Sequence, residues 1–383
     1  MVATVRRGAS LRWVARRFRV ALGTVSKWVR RAQGQRLDRV DWHDRPSGNP
    51  QPPHRTPTRI VRRVLQLRQW LKRHSPLGEY GALALRAQLQ AEALTPLPAV
   101  RTIGRILVRH DQVQRGRLRR PPPPPGWDLP ALADGHTELD AFDVVAGLVI
   151  RQGPEVEILN GLSLYGSLAA AGPHHAVKTA DVLRALPEHW RAFGCPSYVQ
   201  FDNDTRFQGS HRHPDCLGRV VHLCLCLGVV PVFVPPRETG FQAKIESFND
   251  LWQDKVWQRW QHRSVPALAR RSAQFVAAHR AKHAPRIDTA PPRLALPESI
   301  PHRPTQAQVL FLRRTNEHGT IDLLGRPIRV DRHWPHRLVR VELNVLAGHL
   351  QIFALRRRDI AWQPTLRTAN VDVQVAPWYR SEA

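Results

Sequence analysis

Between residues 139 and 263 the chain alternates short, continuously apolar segments with segments of helical period, and this alternation is what most limits the folds open to it. Segments 139–150, 155–163, 197–201 and 229–234 read as strands. Segments 181–193, 217–227 and a Trp-rich stretch at 241–263 read as helices. Strands and helices in this order imply an α/β layer built on a central sheet. Runs as apolar as 229–234 belong to strands buried on both faces.

Proline sets the limits of this layer. Prolines crowd into 45–57 and again into 121–125, followed by Gly126, and a third loose stretch spans 285–304. Proline lacks a backbone donor and favours extended geometry, so such runs act as spacers. The 383 residues, 42% of them hydrophobic, can supply several cores, and the breaks divide the chain into units at 1–45, 58–120, 130–284 and 305–376.

In the first unit Ser10 is placed to cap a helix bearing Leu11, Val14, Ala15 and Phe18. After a break at 19–22, Val25, Trp28 and Val29 repeat the helical spacing. Two short helices joined by a tight turn follow the helix-turn-helix plan, with Thr24, Ser26, Lys27, Arg30 and Arg31 outward on the second. The second unit predicts helices near 59–73, 81–93 and 99–110. On the last, Val100, Ile103, Ile106 and Leu107 share one face, while Arg101, Arg105 and Arg109 form a cationic strip on the other. The last unit consists of short strand-like segments with tight turns, as in a small β-barrel.

Charge indicates the partner. The formal net charge is +27, and residues 1–120 hold 27 Lys and Arg against 6 Asp and Glu, with 31 against 25 in the remainder. Arginine predominates, and its planar fork suits phosphate oxygens and guanine edges. Double-stranded DNA is the expected partner, gripped mainly by the N-terminal third. No apolar run approaches the ~20 residues of a membrane span, and the expected location is the cytoplasm. Cys195, Cys216, Cys224 and Cys226 read as reduced thiols. A zinc site drawn from His211, His213, Cys216, His222, Cys224 and Cys226 is disfavoured, because residues two apart on a helix point away from each other.

Three carboxylates carry the chemistry. Asp140 lies on the first strand, in Glu138-Leu-Asp-Ala-Phe-Asp143, where alternation sends it to the same face as Phe142. Asp143 is the competitor there. Asp202 follows the buried segment ending at Phe201, at the C-terminal end of a strand, where α/β sheets build their sites. Glu246 sits on a helix whose Ile245, Phe248 and Trp252 pack inward. Cleavage of a phosphodiester requires a positioned oxygen nucleophile, a stabilised leaving oxygen and charge neutralisation, which two divalent ions about 3.5–4 Å apart provide. A carboxylate set completed by phosphates suits Mg²⁺ or Mn²⁺.

The segment 138–257 resembles the RNase H-like catalytic core of DDE transposases and retroviral-type integrases. Phe201-Asp-Asn203 resembles the family's Asp-Asn-Gly block, and the run from Gly240 to Asn249 resembles the block around its catalytic Glu. With the flanking units, the layout is similar to that of insertion-sequence transposases of the integrase-core group. The resemblance implies an α/β RNase H-like core with N-terminal all-α helix-turn-helix domains and a C-terminal small β-barrel. It also implies a metal-dependent transposase with Asp140, Asp202 and Glu246 as catalytic and metal-binding acids, two Mg²⁺ or Mn²⁺ ions, and at least a dimer on element-end and target DNA. Two departures stand out. Asp204 replaces the glycine after Asp-Asn, and 43 residues separate Asp202 from Glu246, an interval long enough to leave Glu238 as an alternative third acid. A silenced, purely DNA-binding relative is the alternative function.

Overall fold

The computed structural model describes residues 1–44, 56–113, 128–210, 212–238, 240–356, 359 and 362–379. The proline-rich stretches 45–55 and 121–125 and His211 lie outside the described residues. The chain divides into two compact units, Met1–Val61 and Arg62–Ala383.

The first unit holds helices α1 (Val2–Arg6), α2 (Leu11–Phe18) and α3 (Leu22–Arg31). Ser10 caps α2 by accepting a hydrogen bond from the Trp13 backbone N–H at 3.2 Å. Arg19 ends that helix in the left-handed region, φ 53°, turning the chain into α3. Val14, Ala15 and Val25 bury together between the two helices.

In the second unit α4 (Thr58–His74), α5 (Ala82–Ala91) and α6 (Val100–Arg109) lie close to their predicted bounds. They are held to the layer that follows: Arg259 donates to the carbonyls of Ser75 (2.6 Å) and Lys72 (3.1 Å), and Lys282 pairs with Glu79. This helical segment is therefore fastened to the α/β layer by Arg259 reaching its backbone and by the Lys282–Glu79 ion pair.

After the short α7 (Pro130–Ala133) come β1 (Leu139–Val149), β2 (Glu155–Ser163) and β3 (Ala169–His174), an antiparallel meander. Then follow α8 (Thr179–Phe193), β4 (Tyr198–Phe201), α9 (Thr205–Gln208), β5 (Cys216–Leu217), α10 (Arg219–Cys226) and β6 (Val230–Phe233). β4 lies parallel to both β1 and β6. The Trp-rich stretch forms α11 (Ala243–Trp252) and then widens into a π-helical turn, Gln253–Trp257, before the long α12 (Val265–Asp288). Ser264 caps α12 through the Ala267 N–H.

The C-terminal segment corrects the sequence reading. β7 (Gln308–Arg314), β10 (Leu338–Asn344), β11 (His349–Ala354) and β12 (Thr365–Asn370) continue the central sheet. β8 (Thr320–Leu323) and β9 (Arg326–Arg329) form a separate hairpin, and β13 (Gln374–Val375) pairs with β5. The nine-stranded order is β12-β11-β10-β7-β6-β4-β1-β2-β3. β7 lies parallel to β6, Val232 opposite Leu310 and Phe233 opposite Phe311, so residues 305–376 extend the core sheet instead of closing a barrel of their own. The physical reason is burial: β6 is buried on both faces and needs a neighbour on its far edge.

Each sheet face has its own apolar core. Phe142, Val199, Phe201, Phe233 and Phe311 pack with α8 and α10, whereas Leu139, Ala141, Val232, Leu310 and Leu312 pack with α11 and α12. Gly161 is required beside the first core, since a Cβ there would lie 2.4 Å from the Phe142 ring. No helix among the described residues is long and apolar enough to cross a membrane.

Shared packing across β6 and β7 predicts a single unfolding transition for the α/β layer and its C-terminal strands. Phe311→Ala, at a fully buried ring, should cost about 3–5 kcal/mol in that transition. Calorimetry resolving an independent transition for the C-terminal strands would count against one continuous sheet.

Candidate active site

The two faces of β1 separate its acids. Asp140 points with Phe142 into the α8 side, is 1% exposed, and accepts hydrogen bonds from Trp190 Nε1 (3.0 Å) and Arg293 Nη1 (3.1 Å), with Arg293 Nη2 on its other oxygen. His189 lies 3.9 Å away, and burial pushes it down to about 4, leaving it neutral near this ion pair. The expectation for Asp140 is thereby corrected: its carboxylate is consumed by a buried ion pair that fastens the chain after α12, and it does not face Asp202.

Asp143 occupies the opposite face. The parallel register sets Asp140 opposite Val199 and Ala141 opposite Gln200. Asp202 follows the end of β4 on this side, close enough that the charge of Asp143 acts on it. Asp143 accepts from Asn249 Nδ2 at 2.7 Å, and Asn249 Oδ1 accepts from Asn160 Nδ2 of β2 at 2.8 Å. The chain Asn160–Asn249–Asp143 thus ties α11 to two strands through its second turn, where Asn249 is buried. Sequence reasoning missed Asn249, whose only signal was its position one helical turn after Glu246.

Asp202 accepts from the Asp204 N–H at 3.0 Å. Burial, then the charges of Asp143 and Asp204, push its carboxyl up to about 6. Asp143 is also raised, by burial first and Asp204 after it, against the pull of Asn249 and Arg206. Glu246, exposed in the first turn of α11, is raised by burial and then by Asp143 and Asp250. Asp143 acts on both of the other acids, so it is the electrostatic centre of the set.

Asn203 holds the loop that presents Asp202. Its amide donates to the Val234 carbonyl at 2.7 Å, and its oxygen accepts from the buried Arg313 at 2.8 Å. Asp204, which replaces the resemblance's glycine, caps α9 through the Arg206 N–H and binds the Arg206 guanidinium with both oxygens, at 2.9 and 2.7 Å. Arg206 also reaches Glu157 at 2.8 Å. The extra carboxylate is therefore matched by a cation two residues away. Glu238 is likewise committed, to Arg314 at 2.6 and 2.7 Å, and takes no part with Asp143 and Asp202.

All donors in the Asp143, Asp202 and Glu246 set are carboxylate oxygens, and their proton affinities are raised first by burial and then by neighbouring carboxylates. Oxygen donors match a hard divalent cation in kind, but not in their spacing here. Among the described residues, no three His, Cys, Asp or Glu side chains are gathered closely enough to hold a metal ion. The zinc alternative gains no support: Cys195, Cys224 and Cys226 are buried free thiols, and His222 contacts Cys226 at 3.5 Å.

Of the expected DNA contacts on α3, Thr24 and Ser26 are half-buried and Arg30 is exposed. Lys27 pairs with Asp44 at 3.1 Å, and Arg31 with Asp41 at 2.8 Å. Surface pairs of this kind are worth ~0–1 kcal/mol, so phosphate can replace the acids. Arg101, Arg105 and Arg109 are all exposed along α6, and no ion pair among the described residues involves them.

No protein-family model and no curated protein matches the sequence. Among solved structures, the chain is similar to the catalytic core domain of BIV integrase, at 16% identity over 38% of this chain and 81% of that one, TM-score 0.28. It is also similar to a chain of the simian T-cell lymphotropic virus intasome in complex with PP2A regulatory subunit B56 gamma, at 14% identity over 82% of this chain and 99% of that one, TM-score 0.32. The functional reading rests on the residues of the site.

Stability should follow the acids' environments. Asp140→Asn breaks a buried pair and should cost about 3–5 kcal/mol. Asp202 has a folded value of about 6 against an ordinary 3.8, so its penalty is full above pH 6 and absent below pH 4. Asp202→Asn should therefore raise the thermal midpoint at pH 7, with the gain vanishing by pH 4. An equal gain at both pH values would show that Asp202 is not strained by its neighbours.

Proposed function

We propose that this chain is a divalent-metal-dependent polynucleotidyl transferase, a DDE-type DNA transposase that cleaves and joins the ends of a mobile element. The observation that carries the reading is the electrostatic coupling of Asp143 on β1 to both Asp202, just past the end of the adjacent parallel strand β4, and Glu246 on α11. Asp143 replaces Asp140 as the first acid of the set.

Asp143, Asp202 and Glu246, which are not gathered around one point in this structure, would have to close on Mg²⁺ or Mn²⁺ together with DNA phosphates; when bound, the ion supplies charge neutralisation and activation of an oxygen nucleophile. At neutral pH the carboxylates alone repel a phosphodiester, so substrate entry and cation entry are coupled. Asn249 fixes the rotamer of Asp143. Asn203 and Arg313 fix the loop under Asp202, and the Asp204–Arg206 pair limits the local excess of negative charge. In cleavage, water attacks phosphorus, the bond to O3′ breaks, and O3′ leaves with the electron pair and is protonated. In joining, that 3′-hydroxyl attacks a target phosphate and displaces another O3′. The arginines of α6 and the cations of α3 would hold double-stranded DNA, and two ends imply at least a dimer.

A second reading, a DNA-binding relative without catalysis, is favoured by Asp204 in the place of glycine and by the exposure of Glu246. A strand-transfer assay with matched end DNA and Mn²⁺ separates the two. Wild type should nick and join, Asp143→Asn and Asp202→Asn should fall to background, and Asn249→Ala should lose about 10–100-fold. Asp140→Asn, assayed well below its melting point, should remain active. Tight binding by wild type with neither nicking nor joining would leave only the second reading.

The same acids give a metal-binding signature independent of turnover. Mn²⁺ should raise the melting temperature of wild type, and Asp143→Asn should abolish that rise. A rise of equal size in both proteins would place the ion elsewhere.

A further inference from the structure

A cavity of about 530 Å³ opens where the end of α4 meets the π-helical turn and α12, outside the acidic set. Arg73, His74, Lys255 and Arg271 line it, with Phe275 and Trp260 supplying apolar wall. Two guanidinium groups lie over the Trp260 ring, Arg271 at 4.4 Å and Arg259 at 4.9 Å, which orients the Arg271 head at the cavity wall. Arg271 also donates to Gln274 at 3.2 Å, and Lys255 pairs with Asp254 at 2.6 Å. Arg73 and Arg271 enter no ion pair among the described residues.

Beside the cavity stands an exposed aromatic. Trp70 on α4 is 48% exposed and stacks on His74, ring centroids 4.9 Å apart and planes at 19°. A large indole kept in solvent next to a cationic cavity meets both requirements of an unpaired nucleotide: a flat apolar surface for the base and cations for the backbone. Unpaired bases have free π-faces, whereas those in a duplex are stacked on one another.

We propose that this cavity and Trp70 form a binding site for a single-stranded segment of nucleic acid, with phosphodiester groups at Arg73 and Arg271 and a base on Trp70. The site goes beyond the acidic set and needs no catalysis. The polypeptide nonetheless joins the two, since α11 carries Glu246 at its start and runs directly into the π turn that walls the cavity. Such π turns occur often at functional sites.

The test uses the full-length chain carrying Asp202→Asn, in EDTA, so that binding is read without chemistry. A single-stranded oligonucleotide and a blunt duplex are titrated over a range of salt. Trp70→Ala should weaken single-strand binding about tenfold, as expected for one lost base stack, with little change for duplex, and Trp70→Phe should restore it. Arg73→Ala and Arg271→Ala should each reduce the single-strand salt slope by about 0.7. Melting curves would show each variant folded, as the exposure of Trp70 and Arg73 requires. Unchanged affinity and slope in these variants overturns the site, as does equal loss on blunt duplex. Loss of inorganic phosphate binding alone, with oligonucleotide binding intact, also overturns it. Because these readouts omit cleavage, their failure leaves the transferase reading standing, and failure of that reading leaves these intact.

Discussion

The alternation of side chains along β1, fixed by its parallel pairing with β4, is the constraint on which the rest of the site depends. Period two sends Asp140 and Phe142 to the α8 face, and Ala141 and Asp143 to the α11 face. A slip of one residue would bury Asp143 among phenylalanines and expose Phe142, so the apolar cores on both faces hold the register. Asp140 strengthens the same choice. Its buried bond to Arg293 exists only with β1 in this orientation, and the bridge of Cys195 to Leu294 clamps the chain close by.

This geometry explains why alternation alone does not show which acid of β1 lies near Asp202: Asp140 is tied to Arg293 on one face, and Asp143 couples to Asp202 on the other. Alternation showed that Asp140 and Phe142 share a face and that Asp143 competes. Which face receives α11 depends on contacts with Asn160 and Asn249, 89 residues apart in the chain, and no local pattern encodes that. Helix context favours Glu246 over Glu238 in the sequence, and in the structure Glu238 is paired with Arg314 while Glu246 stands exposed on α11. The strand and helix order from 139 to 234 was equally legible, because runs buried on both faces show as apolar blocks. β3, Ala-Ala-Ala-Gly-Pro-His, was missed because it has neither branched residues nor alternation.

The C-terminal strands failed for a different reason. Segments such as Leu338–Asn344 alternate in the same way whether they close a small barrel or extend an existing sheet, and period two does not name the partner. The partner is set by the open edge of β6, which no feature of residues 305–376 records. A sheet enlarged in this way also brings Arg313 beneath Asn203, so the C-terminal segment contributes a buried cation to the loop that presents Asp202.

Asp204 shows how the chain accommodates a residue that breaks the pattern it resembles. A third carboxylate beside Asp143 and Asp202 would raise their proton affinities further if left unmatched, and both values already reflect its charge. Arg206 answers it with a two-pronged contact and a third bond to Glu157 of β2. The loop therefore exchanges the conformational freedom of glycine for a helix cap and an ion pair, and Asp202 is held by structure on both sides: Asn203 with Arg313 below, and Asp204 with Arg206 beside. Charge at this site is distributed by fixed neighbours, whereas Arg101, Arg105 and Arg109 stand exposed along α6.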